Sequence, residues 1–102
     1  MKSRNPTRAE REWMDAIVKH GCVVCRKEFG IFTETEIHHL DGKTKPGAHL
    51  KTIPLCYRHH RDGEDCSVYT SRHPFKKRFE ERYGTEQELL ESLQRKLGFC
   101  YT

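Results

Sequence analysis

A chain of 102 residues makes one domain at most, and this one is poor in core material: 34% of its residues are hydrophobic and 33% are charged. No apolar run approaches the roughly 18 residues of a membrane span, no secretory leader is expected, and five cysteines, an odd number, exclude a fully paired disulfide framework. The expected setting is therefore a reducing cytoplasm with no membrane partner, and a net charge of +4 permits a nucleic-acid partner without establishing one.

Residues 1–6 read as a short basic tail, and residues 7–102 as a single domain. Thr7 is an expected helix N-cap, with Glu10 closing a capping box. Trp13 and Ile17 follow at helical spacing as core residues, and Gly21 is a plausible stop. Cys22-x2-Cys25 comes next, with Val23 and Val24 inside it, suited to a short strand or a metal-binding knuckle. Residues 33–40 read as a strand ending in Ile37-His38-His39-Leu40. Residues 41–47 are rich in turn formers, 52–55 read as a second strand, and 56–61 open a short helix that Asp62 and Gly63 interrupt. Pro74 suits the first position of a helix, on which Phe75, Phe79 and Tyr83 form a stripe ending at Gly84. Thr85 and Glu88 form a second capping box, and Leu89, Leu90, Leu93 and Leu97 an amphipathic last helix. Strand, loop, strand and helix with helices on either side give an α+β protein built on a ββα unit.

A small core needs a staple, and the seven histidines and five cysteines can supply one. Cys22 and Cys25 followed by Cys56-x2-His59 have the spacing of a tetrahedral zinc site. His60 could replace His59 as the fourth ligand, since spacing does not separate them. A thioredoxin-like redox pair would sit near a βαβ pattern, and none is present. One histidine is then left over at the helix start. Facing the strand-end pair His38-His39, it could make a second metal site, although neighbouring strand residues point to opposite faces. Neutral imidazole as a base and a divalent ion beside it are what phosphodiester hydrolysis requires.

At these residues the chain resembles the HNH, or ββα-metal, nuclease superfamily. More narrowly it resembles the phage recombination-enhancement nucleases of the Ref type, which act with RecA filaments. The narrower likeness extends to His49, His73 and the run Phe79-Glu80-Glu81-Arg82-Tyr83-Gly84-Thr85-Glu86. The resemblance implies a zinc-stapled, HNH-like fold and a DNA endonuclease of a bacterial host cell. It implies His39 as general base, and His38 and His60 as ligands of a catalytic Mg²⁺ or Mn²⁺, or of a second Zn²⁺. It makes His49 and His73 candidate further ligands or phosphate contacts. The middle Asn that names the superfamily is absent, Asn5 being the only Asn in the chain, so His49 or a loop residue would have to orient the base. Lys43, Lys45 and Lys51 beside the loop, and Lys76 and Lys77 near the C-terminal helix, are expected phosphate contacts. Cys66 and Cys100 read as ordinary thiols. The rival reading is a non-catalytic zinc module that binds DNA or a recombination protein.

Overall fold

The computed structural model describes residues 5–99. The first four residues of the expected tail, and Cys100, lie outside that range. Thr7 opens α1 (Arg8–His20) with the full capping box: its hydroxyl accepts from the Glu10 amide at 3.2 Å, and the Glu10 carboxylate accepts from the Thr7 amide at 2.7 Å. Gly21 ends the helix at φ 82°, where the chain must also pass under the 32–33 segment. A Cβ there would lie 2.7 Å from the Phe32 ring and 2.9 Å from the Thr33 carbonyl, so only glycine fits.

Cys22 through Cys25 is not a strand. Cys22 is the N-cap of α2 (Val23–Phe29), and its sulfur accepts from the Cys25 amide at 3.5 Å. The helix wins because that cap draws both sulfurs to one end while Val23 and Val24 are buried. The first expected strand is shorter than residues 33–40. β1 (Glu36–His39) pairs antiparallel with β2 (Thr52–Leu55), setting His38 against Ile53 and His39 against Thr52. The two strands form the whole sheet among the described residues, so Pro54 can sit in β2 without removing an interior ladder bond.

The connecting loop contains a 3-10 turn (Ala48–Leu50) and is closed by the Leu40 amide on the Lys51 carbonyl at 2.9 Å. β2 runs into α3 (Tyr57–His60), completing the ββα unit. The helix α4 (Lys76–Tyr83) starts two residues after Pro74, not at it. The amides of Arg72 and His73 bond the His59 and His60 carbonyls at 2.8 Å each. These bonds hold the 72–73 segment against α3 as a strap, and they satisfy carbonyls that a four-residue helix leaves orphaned. Thr85 and Glu88 cap α5 (Glu86–Leu97) as expected.

Trp13, Ile17, Val24, Ile53, Leu55, Phe79, Leu90 and Leu93 pack together between these elements. Trp13 also donates its indole N–H to the Thr52 carbonyl (3.2 Å) and hydroxyl (3.0 Å), which locks α1 to β2. No helix among the described residues is long and apolar enough to cross a membrane.

Candidate metal centres and the family they define

The cysteines of α2, the Cys56 that caps α3, and His59 converge at one place. Their ligand atoms all lie within 4.8 Å of one another. Four ligands at ordinary zinc bond lengths would stand roughly 3.8 Å apart between sulfurs and roughly 3.5 Å apart between sulfur and nitrogen. The Cys25 and Cys56 sulfurs are 3.8 Å apart, and the His59 Nδ1 is 3.7, 3.6 and 3.2 Å from Cys22, Cys25 and Cys56. The structure thus selects His59 over His60 for this cage. As bare thiols the three cysteines would compete for protons. Contact with Cys22 and His59 pulls Cys56 down, while that same contact and burial push Cys22 up. A single cation resolves the conflict, because all three can then be thiolates. The residues fit zinc in donor type and spacing, and they could bind such a metal.

The second assembly is made of imidazoles. His38, His60 and His73 also place ligand atoms within 4.8 Å of one another. Their ring centroids form a nearly equilateral triangle with sides of 5.1, 5.3 and 5.2 Å. β1 supplies His38, the end of α3 supplies His60, and the strap bonded to α3 supplies His73. Two carboxylates stand behind the rings. Glu86, at the start of α5 and 4% exposed, bonds the His38 Nε2 and accepts from the Arg72 Nε at 2.7 Å. Glu36 accepts from the His60 Nδ1 at 2.8 Å and is gripped by Arg61 at 2.7 to 3.1 Å. These bonds assign the outer proton of each ring, leaving the His38 Nδ1 and His60 Nε2 lone pairs for other use.

Protonation states suit ligation. Burial pushes His60 down despite Glu36, and burial followed by Arg72 pushes His73 down. Arg61 first, then His60, hold Glu36 at about 2. Burial raises Glu86, but its bonds to His38 and Arg72 outweigh that and leave it lowered. The donor set suits a first-row divalent ion. His73 is the exposed corner, so this site is open where the thiolate cage is closed.

Strand alternation sends His39 away from the triangle. Its Nε2 meets the His49 Nδ1 at 2.8 Å, and its own Nδ1 is buried without a hydrogen-bond partner among the described residues. Burial first, then His49, Lys43 and His38, push His39 down to about 4, so it is neutral at ordinary pH. His49 is fixed from two sides, by β2 and by α1. Its carbonyl accepts from the Thr52 hydroxyl at 3.0 Å, and its amide helps the Thr7 amide hold Glu10 in the ionised form. His49 therefore stands beside His39 and in neither ligand group.

The lysines are more dispersed. Lys43 is close enough to act on His39 electrostatically. Lys51 pairs with Asp41 at 3.3 Å and Lys76 reaches Glu86 at 3.9 Å, while Lys45 and Lys77 are exposed. The carboxylates Glu36 and Glu86, and the Arg61 behind Glu36, are not among the expected site residues. Glu86 belongs to the segment that carries the narrower resemblance, but no spacing rule connects it to His38, 48 residues earlier.

A ββα unit flanked by helices, with a Cys/His cage that could hold zinc, defines the class: a small α+β metal-site protein. A family model described as recombination enhancement, RecA-dependent nuclease matches residues 6–98, and the chain belongs to that family. The match agrees with the HNH likeness. The family description makes the protein an enzyme acting on nucleic acid in recombination, in dependence on RecA.

Proposed function

We propose that the protein is an HNH-type, metal-dependent DNA endonuclease that works in the cytoplasm of a bacterial host on phage or prophage recombination substrates. One observation carries this reading. Three imidazoles, each with a fixed or exposed edge, converge beside a fourth imidazole whose buried Nδ1 has no hydrogen-bond partner among the described residues. The Cys₃His cage would hold a structural Zn²⁺. His38 and His60, with His73, would hold the second ion, which would polarise the scissile phosphate and neutralise its developing charge. Three imidazoles suit zinc better than magnesium, so a second Zn²⁺ fits the donor set best, with Mg²⁺ or Mn²⁺ as the alternatives.

His39 acts as general base. If its Nε2–H is given to the His49 Nδ1, the lone pair of His39 lies on Nδ1, where it can take the proton of the attacking water. Glu10 and Thr52 hold His49 in place, and His49 in turn fixes the His39 ring. His49 so fills the orienting role left by the absent Asn. Lys43, Lys45, Lys51 and Lys77 contact phosphates without reading sequence. A depressed base is weak but fully deprotonated at neutral pH, which suits His39 to accept one proton while an ion held by His38, His60 and His73 would supply the charge stabilisation.

The test is nicking of a RecA-formed displacement loop with Mg²⁺, Mn²⁺ or Zn²⁺ supplied in turn. His39→Ala is expected to lower the rate by about 10²- to 10⁴-fold. Equal cutting by both proteins would remove His39 as base. No cutting by the wild type with any ion would favour the non-catalytic zinc module.

A further inference from the structure

Among the described residues, the large apolar side chains left in water are Val18, Phe29, Ile31, Phe32, Tyr57 and Val68. Single exposed hydrophobes are ordinary. Here Phe29, Ile31, Tyr57 and Val68 line one cleft of about 430 Å³, which Cys25, Cys56 and His59 also border. Phe29 and Val68 are 57% and 62% exposed, so folding gains little from either.

The cleft is held rigidly. Phe29 ends α2 and Tyr57 begins α3, both fixed by the cysteines of the cage. The Val68 loop is tied by the Cys66 amide on the Tyr69 carbonyl (2.9 Å), by the Thr70 amide on the Tyr83 hydroxyl (3.0 Å), and by Arg82 on the Cys66 and Ser67 carbonyls (2.6 Å each). A contiguous apolar surface on a preorganised frame marks an interaction site, and the chemistry proposed for the histidines makes no use of it.

The lining decides what fits. Ile31 and Val68 are aliphatic and offer no stacking plane. The rings of Tyr57 and Tyr69 each carry a guanidinium, Arg61 at 5.0 Å and Arg58 at 5.6 Å, so one face of each is taken. That leaves Phe29 as the open ring of the lining, a single stacking plane beside aliphatic walls. An apolar side chain finds a greasy slot whose polar edge carries both signs, Arg58 and Glu34, the usual make-up of a protein interface. The family description names dependence on RecA, and a protein partner is what such a slot fits.

The geometry points to this cleft as the surface that docks on RecA, taking an apolar side chain. The inference rests on membership of the RecA-dependent family and not on the hydrolytic mechanism. His59 borders the cleft and His60, the next residue, belongs to the triangle, so docking sits one residue from the proposed cutting centre.

The test uses the full, zinc-loaded chain in cosedimentation with RecA filaments. Ile31→Asp and Val68→Asp, with the milder Val68→Ser, alter the cleft. Val18→Asp places the same charge on an exposed hydrophobe of α1 that is 44% exposed and lies outside the cleft. The cleft aspartates are expected to weaken filament binding by about 10-fold or more, with zinc content and circular dichroism unchanged and Val18→Asp binding like the wild type. Filament binding unchanged in the cleft variants, or lost equally in Val18→Asp, would overturn the inference. So would an equal loss of affinity for bare single-stranded oligonucleotide, which would mark a base-binding cleft. Sedimentation velocity showing that only a wild-type dimer is lost would do the same, marking a self-association surface. The readout does not depend on cutting, so a wild type that binds filaments without nicking DNA would sink the proposed chemistry and leave the docking surface standing.

Discussion

His59 and His60 are neighbours in sequence and belong to different kinds of site. His59 is 3% exposed and faces three sulfurs, with which it fills all four positions of a tetrahedron. His60 is only partly buried and faces two other imidazoles, one of them exposed, which leaves room for a further ligand. Thiolates supply the charge that a structural ion needs, and closure keeps water out. Neutral imidazoles hold an ion less tightly and leave its charge available to something else. On the proposed reading, a short helix serves stability with one residue and chemistry with the next, because a step along α3 turns the side chain by about 100°.

The comparison breaks most visibly at the cage. A structural zinc contributes roughly 10–16 kcal/mol, as much as the whole net stability of a typical domain, about 5–15 kcal/mol. Cys56→Ser, or stripping with a strong chelator, is therefore expected to abolish the cooperative thermal transition seen by circular dichroism. Next comes the triangle. His60→Ala should lower bound metal from two ions to one per chain and lower nicking by at least about 10²-fold, while the thermal transition survives. Unfolding of that variant would make the two sites equivalent and end the distinction.

Glu86→Gln and Glu36→Gln should act more gently, since each keeps the shape and removes only the charge behind a ring. Affinity for the second ion is expected to fall about 10- to 100-fold by metal titration, with the cage ion retained. The smallest effect belongs to His20, which is in neither site. Its ring donates from Nδ1 to the Gly21 carbonyl at 2.9 Å and its Nε2 accepts from Lys96 at 3.0 Å. Burial lowers it below its ordinary value of 6.5. The unfolded chain then takes up that proton first, so the contribution of His20 is complete above the ordinary value and is lost as pH falls below it. The melting temperature of the wild type should drop more than that of His20→Gln as pH falls from about 7 to about 5.

Much of this was legible in the residues. Both capping boxes are local signals and appear as expected, as do β2 and the closing residues Gly21 and Gly84. The cage ligands were legible because zinc imposes its own spacing. The choice of His59 was not, because two adjacent histidines satisfy the same spacing and only the direction of α3 separates them. Pro74 failed as a helix start because the strap before it is committed to the carbonyls of α3, a contact between distant segments. Glu36 and Glu86 stayed hidden for a similar reason: a buried carboxylate looks like any other acid until its partner, from another element, is beside it.

The shortness of α3 has a further consequence. Four residues cannot hold a helix unaided. This one is held at its start by Cys56 and the cage, and at its end by the bonds from the 72–73 strap. A newly made chain without its structural ion lacks the first hold, and with it the frame that presents His60 and His73. In the reading proposed above, metallation then works as a safety catch. The polypeptide leaves the ribosome harmless to the chromosome around it and is armed only when the cell hands over a zinc ion.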